Sequence, residues 1–201
     1  MKTTIIFIRH AQSDPSVKDA KTRPLTEKGA LDAQKLVERF QGVPISRILS
    51  SPYLRACQTV EPLAKARNLP LGTDERMREW MGGRPFASEF FESRMMRMFE
   101  DETDKTGGAE SLRALKKRTL EFVMHLLTRF KGETLIVGTH ALALTASVMN
   151  FDDCIGVDFL FRLLPVAPFA AVMEFENFTL TSMQFWNPIN EPLPLNREAK
   201  S

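Results

Sequence analysis

Apolar and polar positions alternate between two rhythms along this chain. Short unbroken apolar runs, such as Ile5 to Ile8 and Leu135 to Val137, have the length of strands buried on both faces. Ile45 to Leu49 reads as a second strand and Leu69 to Gly72 as a brief third. Thr134 to Val137 follows, then a late pair, Val166 to Phe175 and Phe178 to Trp186, with a turn at Glu176-Asn177. Between them the apolar positions shift to helical spacing. Ala30, Leu31, Ala33, Leu36, Val37 and Phe40 form one such stripe, opened by Thr26 as N-cap and ended by Gly42 and Pro44. Ser50-Ser51-Pro52 opens a second helix, with Pro52 near its first position, that runs through Leu54, Cys57, Val60 and Leu63 to about Arg67. Ser111 to Phe130 is a long amphipathic helix and His140 to Met149 a shorter one. Strands alternating with helices predict a three-layer α/β/α sandwich with a mostly parallel central sheet.

The 201 residues, 43% hydrophobic and 26% charged, fit one globular domain spanning residues 1–201. Two segments depart from the rhythm. Residues from about 80 to 108 carry Gly82-Gly83, Pro85, and Phe86, Phe90, Phe91, Met95, Met96 and Met98, with Arg84, Arg94 and Arg97 interleaved. This reads as an inserted, partly helical flap. It either packs an apolar helix face on the domain, which is the preferred reading, or forms a lid over an amphipathic ligand; its exposed part leaves a homodimer open. The tail from about 187 to 201, with Pro188, Pro192 and Pro194, reads as extended cover. A net charge of +2 is too near neutral to imply nucleic acid or a membrane surface. The apolar run at Ile5 to Ile8 is too short for a signal sequence or a membrane span. Cys57 and Cys154 form no CxxC pair, so a reducing compartment, the cytoplasm, is expected.

The chemistry gathers at strand ends. His10 follows the Ile5 to Ile8 run and His140 follows Leu135-Ile136-Val137, both at carboxyl ends where α/β folds place ligands. The third histidine, His125, lies on the face of the long helix. For a single strand-end histidine, a satisfied surface or core group is as good a reading; two at equivalent ends favour a shared site. Arg9 adjoins His10, and Arg55 lies in the first turns of the second helix, also near that edge. Guanidinium forks and helix N-termini together make an anion site. No HxH, HExxH or Cys/His spacing points to a metal, and adjacent guanidiniums repel a cation. No GxxxxGK[ST] or GxGxxG loop occurs, and neither cysteine meets an arginine six positions on, Leu63 and Leu160 standing there instead. An imidazole nucleophile flanked by cationic clamps remains, with no cofactor required.

These residues resemble, in order along most of the chain, the histidine phosphatase superfamily, also called phosphoglycerate mutase-like. Arg9-His10-Ala11-Gln12-Ser13 is similar to RHGx[ST], and Leu25-Thr26-Glu27-Lys28-Gly29 to LTxxG. Ser50 to Thr59 is similar to SSxxxRAxQT, Met77-Arg78-Glu79 to the acid segment, Gly108-Ala109-Glu110-Ser111 to GGES, and Val137 to Ala141 to VSHG. The resemblance implies that His10 accepts the phosphoryl group and that Arg9, Arg55 and His140 bind its oxygens. Ser13 and Ala141 join the phosphate-binding set. Glu79 protonates the leaving oxygen and then activates water; an ordinary exposed carboxylate is the alternative for Glu79. Glu110 and Ser111 are expected to be structural. Ala11 stands for the usual glycine, Ala141-Leu142 for glycines after the second histidine, and Ser16 for an asparagine.

The expected activity is phosphomonoester hydrolysis of a small phosphorylated substrate. Phosphoglycerate mutase-type transfer is the alternative, disfavoured because Trp80-Met81-Gly82-Gly83 replaces the ERHYG-like segment and the flap has no Arg-Arg pair. A non-catalytic phospholigand-binding module is the third reading, disfavoured by the retained reacting groups.

Overall fold

A computed structural model of the chain describes residues 1–83 and 88–191. The readings that fall on Arg84, Pro85, Phe86, Pro192 and Pro194 lie outside these residues. A mixed six-stranded sheet carries β1 (Lys2–Arg9), β2 (Arg47–Ser50), β3 (Leu71–Thr73), β4 (Thr134–Thr139), β5 (Phe169–Glu176) and β6 (Thr179–Trp186) in the order β3-β2-β4-β1-β5-β6. The first four run parallel, and β5 pairs antiparallel with both β1 and β6. Among the described residues six α-helices cover it: α1 (Glu27–Arg39), α2 (Leu54–Ala66), α3 (Phe91–Glu100), α4 (Leu112–Arg129), α5 (Ala141–Met149) and α6 (Val157–Leu163).

The strand period of two sorts β1 between two cores. Ile6 and Ile8 join Ile48, Ile136 and the inner faces of α1 and α2. Ile5 and Phe7 join Leu135, Val137 and the faces of α4 and α5. All four β1 side chains are fully buried, and burial of each is worth about 1.5–3 kcal/mol. An unbroken apolar run is thus what a central strand covered on both faces needs.

Helix ends follow their local chemistry. Thr26 caps α1 by accepting from the Gly29 amide at 3.0 Å, and Ser111 caps α4 by accepting from the Ala114 amide at 3.3 Å. Removing such a cap typically costs about 1 kcal/mol. Several boundaries differ from the pattern. Pro52 lies ahead of α2, whose cap is Tyr53, because Ser51 is still tied by its amide to the Gly138 carbonyl at 2.8 Å. His140 is the cap of α5, not its first residue. The β5–β6 turn falls one residue later than read, with Asn177 in the left-handed region at φ 57°. In the 80–108 segment, α3 buries Met95 and Met98 in the main core, the packing role preferred from the sequence. Helix α6 was not anticipated: seven residues, capped by Gly156 without a side-chain bond, give little periodic signal.

Candidate active site

The register of β1 on β4 brings the two histidines together. Arg9 lies beside Thr139, and the His10 amide donates to the Thr139 carbonyl at 2.9 Å. His10 and His140 are therefore the next residues on neighbouring strands, with ring centroids 5.3 Å apart in an edge arrangement. Gly138 allows this junction: a Cβ there would lie 2.8 Å from Ser50 Oγ and 3.0 Å from the Ala56 carbonyl oxygen. Gly29 does the same for the loop after His10, since its Cβ would meet the Gln12 carbonyl oxygen at 2.1 Å. Ala11 needs no such freedom. Its backbone is not in the left-handed region, its methyl is fully buried, and its amide donates to Thr59 Oγ1 at 3.0 Å.

His10 is held as a neutral imidazole. Burial, and then the charge of Arg55, with smaller effects from Arg9 and Arg23, bring its pKa down to about 3. At neutral pH its Nδ1 bears the proton and donates to the Ala11 carbonyl at 2.7 Å, which leaves the lone pair on Nε2. His140 is fully buried and also held neutral, its pKa well below the ordinary value through burial and the neighbouring cationic groups. Its Nε2 lies 2.7 Å from Ser51 Oγ, and its Nδ1 has no partner among the described residues. Packed edge-on against His10, it is absent from the lining of the cleft.

The guanidiniums come from three elements. Arg9, at the end of β1, donates through Nη1 to the carbonyls of Leu163, Leu164 and Val166 at 2.6–2.7 Å, at the C-terminal end of α6. Its Nε is buried without a partner among the described residues. Arg55, only 5% exposed on α2, donates to the Ala20 carbonyl at 2.5 Å and lies over the Tyr53 ring at 5.3 Å. Arg23 was not singled out in the sequence. The antiparallel bridge of Ser13 to Leu25 folds its loop back over the site, and its Nε donates to the Val17 carbonyl at 2.8 Å. It lies within electrostatic reach of both His10 and Arg55. Nothing in the local pattern around Thr22-Arg23-Pro24 marks it, since only the fold returns that loop to His10.

Glu79 sits on the opposite arm. Its Oε1 accepts from the Trp80 amide at 2.9 Å and from the Ala143 amide, in the first turn of α5, at 3.3 Å. The loop that carries it is laced to α4: Arg118 donates to the carbonyls of Arg76, Arg78 and Glu79 while pairing with Glu110 at 2.7 Å. Burial works against ionisation of Glu110, yet the Arg118 bonds and the Arg78 charge hold its carboxyl below the usual range. Glu110 is thus a strut beneath Glu79.

A cleft of about 320 Å³ joins these parts. Arg9, His10, Ser13, Arg55, Glu79 and Ala141 all line it, as does Arg23. The apolar remainder, notably Trp80, Phe91 and Leu164, comes from the acid loop, α3 and the end of α6. His125 is exposed on α4, away from this lining. The arrangement offers a neutral imidazole lone pair, an anion-binding set of guanidiniums, and a carboxylate within one cleft.

Over 79 residues the chain is 34% identical to the probable phosphoglycerate mutase GpmB of Proteus mirabilis, a stretch covering 37% of each chain. Over 68 residues it is 34% identical to the phosphohistidine phosphatase SixA of Escherichia coli, covering 33% of this chain and 42% of that one. The chain therefore matches less than half the length of either curated relative. The solved structure of Bacillus stearothermophilus YhfR superposes with a TM-score of 0.71 at 25% identity, covering 89% of this chain and 94% of that one. The family model described as histidine phosphatase superfamily (branch 1) matches residues 5–168, from the first strand to the approach of β5, and the chain belongs to that superfamily.

Proposed function

We propose that the protein is a phosphomonoester hydrolase that passes the phosphoryl group through His10 and acts on a small phosphorylated metabolite. The observation that carries this reading is the state of His10: a neutral imidazole, proton fixed on Nδ1 by the Ala11 carbonyl, lone pair on Nε2, among Arg9, Arg23 and Arg55. In the first step Nε2 attacks phosphorus, the bond to the leaving oxygen breaks, and Glu79 supplies the proton to that oxygen. Arg9, Arg55 and Arg23 hold the phosphoryl oxygens, with Ser13 and the first turn of α5 at Ala141 as further donors, while the buried His140 ring packs against His10. In the second step Glu79 takes a proton from water, which attacks the phosphohistidine and releases inorganic phosphate and a neutral His10. No metal enters either step, because guanidiniums supply the positive charge.

Both likenesses, to a phosphohistidine phosphatase and to a probable phosphoglycerate mutase, concern phosphoryl groups. Mutase-type transfer needs a second anion site, and among the described residues the arginines Arg78 and Arg94 near the acid loop have internal partners. Arg94 pairs with Asp104, and Arg78 with Glu110 at 3.3 Å. Hydrolysis is the better fit. We further read residues 1–201 as one domain in which α3 belongs to an insertion at about 80–108. Among the described residues no helix is long and apolar enough to cross a membrane.

The test is turnover of p-nitrophenyl phosphate after dialysis against a chelator. The reading expects activity to persist, vanadate to inhibit, and Arg55→Lys to lower kcat/KM by about 100-fold, since an ammonium loses the planar fork. Activity restored only by a divalent cation would contradict it.

A further inference from the structure

We propose that the cleft selects phosphate esters with an apolar leaving group, an aryl-substituted or branched alkyl alcohol, over phosphorylated sugars, glycerates or amino acids. This rests on the hydrolase reading above and names the substrate class of the same site. At about 320 Å³ the cleft is near the small end of small-molecule sites. Once the phosphoryl-binding groups and Glu79 are set aside, the rest of its lining among the described residues is apolar: Trp80, Phe91, Ala141, Leu142, Leu160 and Leu164. Leu142 and Leu160 are core residues glimpsed from the cleft, at 4% and 0% exposure. Trp80, Phe91 and Leu164 are different. They pack against the core yet stay only half-buried, and so keep apolar surface toward the cleft.

Among the described residues, the polar side chains flanking this wall are engaged elsewhere. The Trp80 indole N–H donates to the Glu110 carbonyl at 2.5 Å. Arg94, whose guanidinium lies 5.9 Å from the Trp80 ring centre, pairs with Asp104 and the Thr106 carbonyl. Arg78 and Arg118 both pair with Glu110. A polyol or carboxylate leaving group would lose water there without replacement, each stranded group weakening binding roughly tenfold or more. An aromatic or branched alkyl group would instead remove its own surface and that of Trp80 and Phe91 from water.

The experiment compares kcat/KM for 2-phenylethyl phosphate, glycerol 1-phosphate and 3-phosphoglycerate. All three are primary alkyl esters, so the comparison reports contacts to the leaving group more than bond strength. The phenylethyl ester is expected to be preferred by at least about tenfold, and Phe91→Ala to narrow that ratio by about tenfold. Leu164→Asn, at a half-buried position, should narrow it too and guards against a Phe91 variant that fails to fold. Equal or reversed preference in the wild-type protein would overturn the substrate class while leaving the hydrolase reading standing. A preference that neither folded variant alters would also overturn it, by placing selection elsewhere. Absence of turnover on all three esters and on p-nitrophenyl phosphate would instead overturn the hydrolase reading, and this proposal with it.

Discussion

Ser51 is fully buried, and its Oγ accepts the Tyr53 amide at 3.2 Å while lying 2.7 Å from His140 Nε2. The hydroxyl proton has that nitrogen as its acceptor, so the neutral His140 carries its own proton on Nδ1. The proton on the buried Nδ1 of His140, whose ring packs edge-on to His10, thus depends on a serine outside the cleft lining. In Ser51→Ala the tautomer is released. We expect kcat/KM to fall about tenfold, Ser51→Thr to retain most activity, and nitrogen NMR to show His140 shifting from a pure Nδ1–H form to a mixture. A wild-type ring protonated on Nε2 would contradict the assignment. At this scale the sequence was most legible where a residue has one local job. Thr26 and Ser111 are caps in the structure as in the pattern, and the ordered motifs named Arg9, His10, Ser13, Arg55, Glu79 and Ala141, all of which line one cleft. Ser51 and Arg23 were not legible as site residues, because their partners lie 89 positions away in one case and across a folded-back loop in the other.

Among the elements, β1 and β4 were readable because a strand covered on both faces must be apolar throughout, and both runs end at a histidine. Helix α5 is nearly all apolar, with eight of its residues buried, so it has no amphipathic stripe and was recognisable only from its place after β4. Helix α6 escaped notice because Val157–Leu163 makes only two turns and Gly156 gives it no side-chain cap. Yet its last carbonyls fix the Arg9 guanidinium, and Leu160 and Leu164 form part of the cleft wall. The acid loop shows the same limit. Glu79 was identifiable from its motif, but the Arg118–Glu110 strut that orients its backbone spans α4 and is a product of the packed fold. What the sequence withheld, at this scale, is what tertiary contacts supply.

For the molecule as a whole, two neutral imidazoles among guanidiniums couple stability to pH. The folded-state pKa of each lies below the ordinary histidine value near 6.5, so between the two the unfolded chain binds more protons. The stability of this arrangement is therefore complete above about pH 6.5 and is lost as pH falls, for His10 down to about pH 3, by up to about 1.4 kcal/mol per pH unit for each proton difference. Urea unfolding between pH 6.5 and 5 should show that decline, and His10→Gln should reduce its slope by about half. An unchanged slope would mean that His10 is not held neutral. The central claim, that His10 carries the phosphoryl group, is tested most directly by rapid quenching of the protein with a labelled phosphomonoester and mapping the label. The account predicts one acid-labile, base-stable phosphoryl group on His10, absent in His10→Ala together with turnover. Label on another residue, or label and turnover that persist in His10→Ala, would contradict it.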